Sequence, residues 1–130
     1  MLKPIRTETA PKPFSNYEQG IEIAPGARIV HVSGQVGAEV NGTIPADATR
    51  QHELAWDNAL AILAAAGMDH TNVVDAHVYI TDRSHLGISR EVRDRKLKGH
   101  LPASTLLVVA GLADPRLVVE VDLVAAAPAT

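Results

Sequence analysis

Two carboxylates near the C-terminus, Glu120 and Asp122, are the side chains best suited to chemistry. They sit in the apolar run Leu117–Ala127, separated by Val121 and flanked by Val118, Val119, Leu123 and Val124. Such a run reads as a strand, whose side chains alternate between faces. Glu120 and Asp122 therefore point the same way, with Val118 and Val124 beside them. Charge among β-branched neighbours is unfavourable unless it is paired or used. A functional site, able to position water and move a proton, is one explanation of the pair. An exposed strand face or a salt bridge is the other.

Other chemical signals are thinner. His52-Glu53 begins a helical zinc motif that needs a second histidine four residues after the first. That position is Trp56, and the pattern fails. His31, His70, His77, His85 and His100 show no ligand spacing, and the chain has no cysteine. Thiolate nucleophiles, Cys-based metal sites and disulfides are thereby excluded, and no metal site is expected. Ser33-Gly34-Gln35 lacks the flanking glycines and following helix of a nucleophile elbow. Gly34 could offer a backbone N–H to a ligand oxygen; it equally permits an ordinary bulge.

The elements that would position these residues are legible. Gln19–Ala24 and Arg28–Ser33 read as strands joined by the turn Pro25-Gly26. Asp47 is a good N-cap and Gly67 a good C′ residue for a helix between them. Its apolar stripe is Ala55, Ala59, Ile62 and Ala66, widened by Trp56, Leu60 and Leu63, which leaves Asp57 and Asn58 as surface residues. Val73–Ile80 alternates, with Val74, Ala76, Val78 and Ile80 on one side and Asp75, His77 and Tyr79 on the other. Thr81-Asp82 ends that strand and caps a second helix, about Ser84–Lys98, with a thin stripe of Leu86, Ile88, Val92 and Leu97. Its basic residues Arg90, Arg93, Arg95, Lys96 and Lys98 alternate with Glu91 and Asp94, which offer i,i+4 partners to Arg95 and Lys98. A solvated helix face is expected there. The last strands, Ser104–Gly111 and Leu117–Ala127, are joined at Asp114-Pro115, and the apolar stretch Leu106–Ala113 suits a buried strand.

The order is β-β-α-β-α-β-β, with room for a short strand before Tyr17. Strands with one polar face and helices on the other make a two-layer α+β sandwich, one domain over residues 1–130. Aromatic residues are only 3% of a chain that is 46% hydrophobic, so small aliphatic side chains must build the core. The formal net charge of −3 gives no general attraction to nucleic acid. No apolar run reaches the length of a membrane span, and Met1–Pro13 lacks the apolar core of a signal peptide. A cytoplasmic protein with neither membrane nor nucleic-acid partner is expected.

Several stretches together resemble one family. Tyr17-Glu18-Gln19-Gly20 is similar to its opening motif, and Val32-Ser33-Gly34-Gln35 to its second strand. Leu63–Gly67 followed by Val73–Asp82 resembles its middle. Leu101-Pro102-Ala103-Ser104-Thr105 and Val119-Glu120-Val121-Asp122 resemble its closing strands. Their order and spacing match the Rid family, also called YjgF/YER057c/UK114, across essentially the whole chain. The resemblance implies a chorismate-mutase-like α+β fold with two helices on one face of a mixed sheet. It further implies a homotrimer with clefts between subunits, and hydrolysis of reactive enamines and imines to ketones and ammonia without a cofactor. A non-catalytic trimer binding a small metabolite is the competing expectation. Ribonuclease or translation-inhibitor activity, attached to some members, is disfavoured by the acidic balance and the lack of exposed aromatics.

The resemblance also implies site residues. Asp122 aligns with the family's site glutamate, one methylene shorter, and is the expected catalytic residue. Tyr17 aligns with a cleft tyrosine and Gly34 with a backbone position there; Ser33 and Glu120 are expected beside them. Ser104 stands where deaminating members place an arginine that grips the substrate carboxylate. A serine supplies one neutral hydrogen bond and no charged fork, so a non-standard substrate is expected. Arg90 aligns near a cleft asparagine. Either it reaches the cleft and supplies the anion contact, or it belongs to the solvated basic face.

Overall fold

The computed structural model describes residues 1–130. Helix α1, Ala48–Ala65, begins as its cap residue dictates: the Asp47 carboxylate accepts from the Arg50 backbone N–H at 2.8 Å. Past its end, Gly67 takes a φ of 72°, a left-handed turn that few side chains tolerate. The stripe between buries Ala55, Trp56, Ala59 and Leu63 completely. Helix α2, Leu86–Leu97, is entered through a 3-10 turn, Arg83–His85, whose first N–H groups Asp82 caps.

The strands are β1 (Leu2–Ile5), β2 (Gly20–Ile23), β3 (Arg28–Val36), β4 (Val73–Ile80), β5 (Ala103–Val108) and β6 (Val119–Ala127). Strands β1 and β2 form a separate antiparallel pair, the short extra strand for which the sequence left room. The main sheet runs β3-β6-β4-β5 and is mixed: β4 and β5 are parallel, while β6 lies antiparallel between β3 and β4. Both helices cover one face, where Val32, Ala76, Val78, Ile80, Val119, Val121 and Leu123 close the core against Trp56, Leu63, Val92 and Leu97. The other face is bare of helices and carries the polar residues of β4 and β6.

Three expectations are corrected. The apolar C-terminal stretch does not become a buried strand. Apart from one bridge between Ala103 and Glu18, strand β5 pairs with β4 alone and forms the sheet edge, leaving Leu107 49% and Val108 42% exposed. Asn58 is no idle surface residue, since its amide donates to the carbonyls of Val36 and Ala38 at 3.0 and 2.9 Å and pins the end of β3. The basic face of α2 is not wholly solvated, because Arg93 is buried. Arg95 and Lys96 pair with Glu53 and Asp57 on neighbouring α1 rather than within their own helix.

Candidate functional site

The antiparallel register of β4 and β6 sets His77 opposite Asp122 and Tyr79 opposite Glu120, all on the helix-free face. His77 Nδ1 lies 2.7 Å from Asp122 Oδ1, and its Nε2 lies 2.8 Å from Asp75 Oδ2. The Tyr79 hydroxyl donates to Asp122 Oδ2 at 2.8 Å. Both oxygens of Asp122 are thus engaged. Both ring nitrogens of His77 face carboxylates, an arrangement fully satisfied only when each carries a proton. Burial pulls the His77 pKa down, but the hydrogen bond His77 donates to Asp122 and the charges of Asp75 and Asp122 outweigh it, and the net shift is upward. Tyr79 is also raised, chiefly by its bond to Asp122.

A pH dependence follows. A histidine raised in the fold contributes stability that is complete below its ordinary value of 6.5 and lost as pH climbs through the folded value. His52, buried between the helices with Nδ1 2.8 Å from the Ala48 carbonyl, is lowered chiefly by burial, so its contribution is lost as pH falls below 6.5. Replacing Asp122 by Asn weakens only the first effect, leaving Asp75 as the one carboxylate facing His77. The melting difference between wild type and Asp122→Asn should be larger near about pH 5.5 than near about pH 8.5, because only His77 differs between them. A constant difference across that range contradicts the assignment.

Strand β3 meets β6 with a break in register between Val32 and Gln35, and the bulge holds Ser33 and Gly34. A Cβ on Gly34 would stand 2.0 Å from Glu120 Oε2 and 2.7 Å from its Cδ, so the Glu120 carboxylate lies directly over the Gly34 backbone. Only a glycine lets Glu120 keep that position. For Gly34→Ala we expect Glu120 to swing aside at a stability cost of about 1 kcal/mol, since the displaced group is the end of a flexible chain. Ligand binding or turnover should fall about tenfold or more if this bulge borders the site, a loss on the scale of a misplaced positioning contact. Unaltered function with Glu120 displaced would remove Gly34 and Glu120 from the site.

On the helix-covered side, at the β5 edge, a cavity of about 410 Å³ gathers Tyr17, Arg90 and Ser104, with Arg83, Arg93 and Leu106 also in its wall. Alternation along β5 aims Ser104 and Leu106 here and sends Thr105 to the opposite face. The segment carrying Tyr17 is held by the Glu18 N–H bond to the Pro102 carbonyl at 2.9 Å and by Asn16, which donates to Asp94 at 2.9 Å. Arg93 spends its charge on Asp94 at 3.0 Å and donates to Ser15 at 3.2 Å. Arg90 and Arg83 have no partner. A larger cavity of about 740 Å³ lies under Arg6–Gln19. Its buried acid, Glu18, is consumed by an ion pair with Arg6, and of the candidate residues only Tyr17 borders it.

The expected site residues therefore form two groups. Tyr17, Arg90 and Ser104 share the cavity; Ser33, Gly34, Glu120 and Asp122 share the helix-free face. The groups are on opposite faces, and β3 and β5 are three strand spacings apart, roughly 14 Å. One chain does not bring them around one small molecule. Sequence reasoning missed His77 and Tyr79 as the partners of Asp122, Asp75 as the second partner of His77, and Arg83 and Arg93 as cavity residues. The alternation of β4 had put the first three on one face, and only the register with β6 was lacking.

Residues 7–127 match the family described as endoribonuclease L-PSP. The chain is 33% identical over 112 residues to the rat 2-iminobutanoate/2-iminopropanoate deaminase, covering 85% of this chain and 80% of that protein. It is 31% identical to protein DfrA of Myxococcus xanthus, covering 95% and 94%. Among solved structures, E. coli TdcF with bound serine superposes with a TM-score of 0.72 at 31% identity, covering 95% of this chain and 97% of that one. A Rid-family protein of unknown function from Yersinia pestis has the same fold, with a TM-score of 0.84 at 24% identity over 95% and 97% of the two chains. No helix is long and apolar enough to cross a membrane.

Proposed function

The chain belongs to the endoribonuclease L-PSP family, which includes the Rid and YjgF proteins, and from that premise we propose that it hydrolyses small anionic imines. The products are a ketone and ammonia, the sites lie between protomers of a homotrimer, and no cofactor takes part. The observation carrying this reading is the cavity itself: an unpaired arginine, Arg90, stands in one pocket with Ser104, which on the sequence resemblance occupies the position of the deaminases' arginine. The guanidinium lost from the strand is supplied from the facing helix. The curated relatives named as imine deaminases support the reaction class.

Two half-sites on opposite faces of one sheet make sense only if neighbouring copies complete each other. An uncovered sheet face with Ile29 and Leu107 about half exposed supports such assembly. Across the junction, Arg90 holds the substrate's carboxylate while Ser104 and the Gly34 N–H orient its imine end. Water adds to the C=N carbon of the protonated imine, one of its protons passing to Asp122, and a neutral carbinolamine forms. Asp122 returns that proton to the amine nitrogen, the C–N bond breaks to release ammonia, and the hydroxyl proton leaves through the Asp122 carboxylate to water as the C=O bond forms. His77 and Tyr79 hold the Asp122 carboxylate in place, with the remaining lone pairs of its oxygens free for water.

A second reading, a metabolite-binding trimer without turnover, draws on the engagement of both Asp122 oxygens by side-chain donors. The RNA reading loses one of its counter-arguments, because Phe14 is 81% exposed beside the arginine cavity. The net charge of −3 still opposes it. Ammonia release from freshly generated 2-imino acids, with Asp122→Ala as control, separates the three. Release that the control lacks supports the enzyme. Saturable binding of the corresponding oxo acids without release supports the binding module, and salt-sensitive RNA retention supports the third.

A further inference from the structure

We infer that the preferred ligand of the Arg90 cavity carries two acidic groups: a carboxylate beside the imine and a second anion, carboxylate or phosphate, held by Arg83. This rests on the imine-site reading above and adds a substrate class to it. Arg83, Leu86, Arg90 and Arg93 recur at i, i+3, i+7 and i+10, so the 3-10 turn and α2 present one continuous face to the cavity. All four residues line it, and no acidic residue does.

The charges can be apportioned. Arg93 is buried and already matched by Asp94, with a further bond to Ser15, so it serves as wall. Arg83 and Arg90 have neither an ion pair nor a side-chain hydrogen bond, although Asp82 and Asp94 lie close in sequence. Asp82 instead caps the 3-10 turn through Ser84, and Asp94 is taken by Arg93 and Asn16. Two like charges on one wall, without counter-charge, favour a ligand that neutralises both; a monoanion leaves one guanidinium unmatched. The facing surfaces from Leu86, Leu106 and Val108 are apolar and suit a short carbon backbone between the two anions. Arg83 is the exposed member at the rim, so its contact is more sensitive to salt than that of half-buried Arg90.

The test uses oxo acids, the products of imine hydrolysis, as probes in calorimetric titrations at low salt. Oxaloacetate and 3-phosphohydroxypyruvate are compared with 2-oxobutanoate on wild type, Arg83→Gln and Arg90→Gln. One added charge-assisted contact should make at least one of the two diacids bind about tenfold or more tightly than 2-oxobutanoate. Arg83→Gln should collapse that ratio to about two or less, and whichever diacid loses most identifies the second anion as carboxylate or phosphate. A wild-type ratio near one, or a ratio untouched in Arg83→Gln, overturns the inference while leaving the imine site standing if Arg90→Gln still weakens 2-oxobutanoate. If Arg90→Gln binds all three probes like wild type, the site reading itself fails.

Discussion

Replacing Asp122 by Asn should abolish imine hydrolysis while leaving the fold and assembly intact. The expected loss in kcat is about 10² to 10⁴-fold, the usual contribution of a positioned acid–base group. Structural damage should be small because asparagine is isosteric. Its amide oxygen still accepts from His77 Nδ1, and its amide nitrogen can donate to the Tyr79 oxygen, reversing the present bond. What is lost is the ability to take a proton from water. An independent signature accompanies the loss: with the Asp122 charge gone, burial of His77 is opposed by Asp75 alone, and the His77 pKa must fall relative to wild type. Imidazole NMR shifts over a pH series report it. A fallen His77 pKa with undiminished turnover would show that the network is intact but that Asp122 is not the catalytic group.

The second large effect is expected at Arg90. Truncating the charged partner of a ligand carboxylate costs about 2–5 kcal/mol, a weakening of tens- to thousands-fold. Arg90 is half-buried and has no ion-pair or side-chain hydrogen-bond partner within the chain, so Arg90→Gln should melt within a few degrees of wild type. The loss should appear in KM or in the affinity for oxo acids, because the anion contact exists before and during the reaction. Restoring the family's arrangement gives the complementary test. Ser104→Arg in the Arg90→Gln background should recover part of the affinity, since the strand position faces the same cavity. Oxo-acid affinity unaffected by Arg90→Gln would return that residue to the solvated helix face.

The local elements were readable because each is encoded by nearby residues. Asp47 and Gly67 bracket α1, and the clean alternation of Val73–Ile80 marks both the span and the two faces of β4. The same alternation put Glu120 and Asp122 on one face. Long-range pairing was not readable: nothing in the composition of β6 says that it inserts between β3 and β4 rather than pairing with β5, its neighbour in sequence. That pairing brings His77 to Asp122 and bears out the salt-bridge explanation for that carboxylate. Edge strands posed a second difficulty. The apolar residues of β5 suit burial, yet within one chain nothing covers Leu107 or Val108, and hydrophobicity does not say whether the cover comes from the same chain or another. Arg93 misled for a different reason: a charged residue in a basic run looks solvated until loop residues Ser15 and Asn16 fold across it and its neighbour Asp94.

Subunit complementation is the most direct test that one protomer's Arg90 cavity meets another's Asp122 face. Asp122→Asn and Arg90→Gln are mixed in equal amounts, dissociated, reassembled and assayed at substrate concentrations far below the KM of Arg90→Gln, where each variant alone turns over little. If every site draws one half from each of two neighbouring protomers of a closed ring, about a quarter of the sites in the mixture are wild type in both halves, and activity returns to about that level. Activity that stays at the level of the separate variants, with mixed assemblies verified by mass, would contradict a site shared between chains.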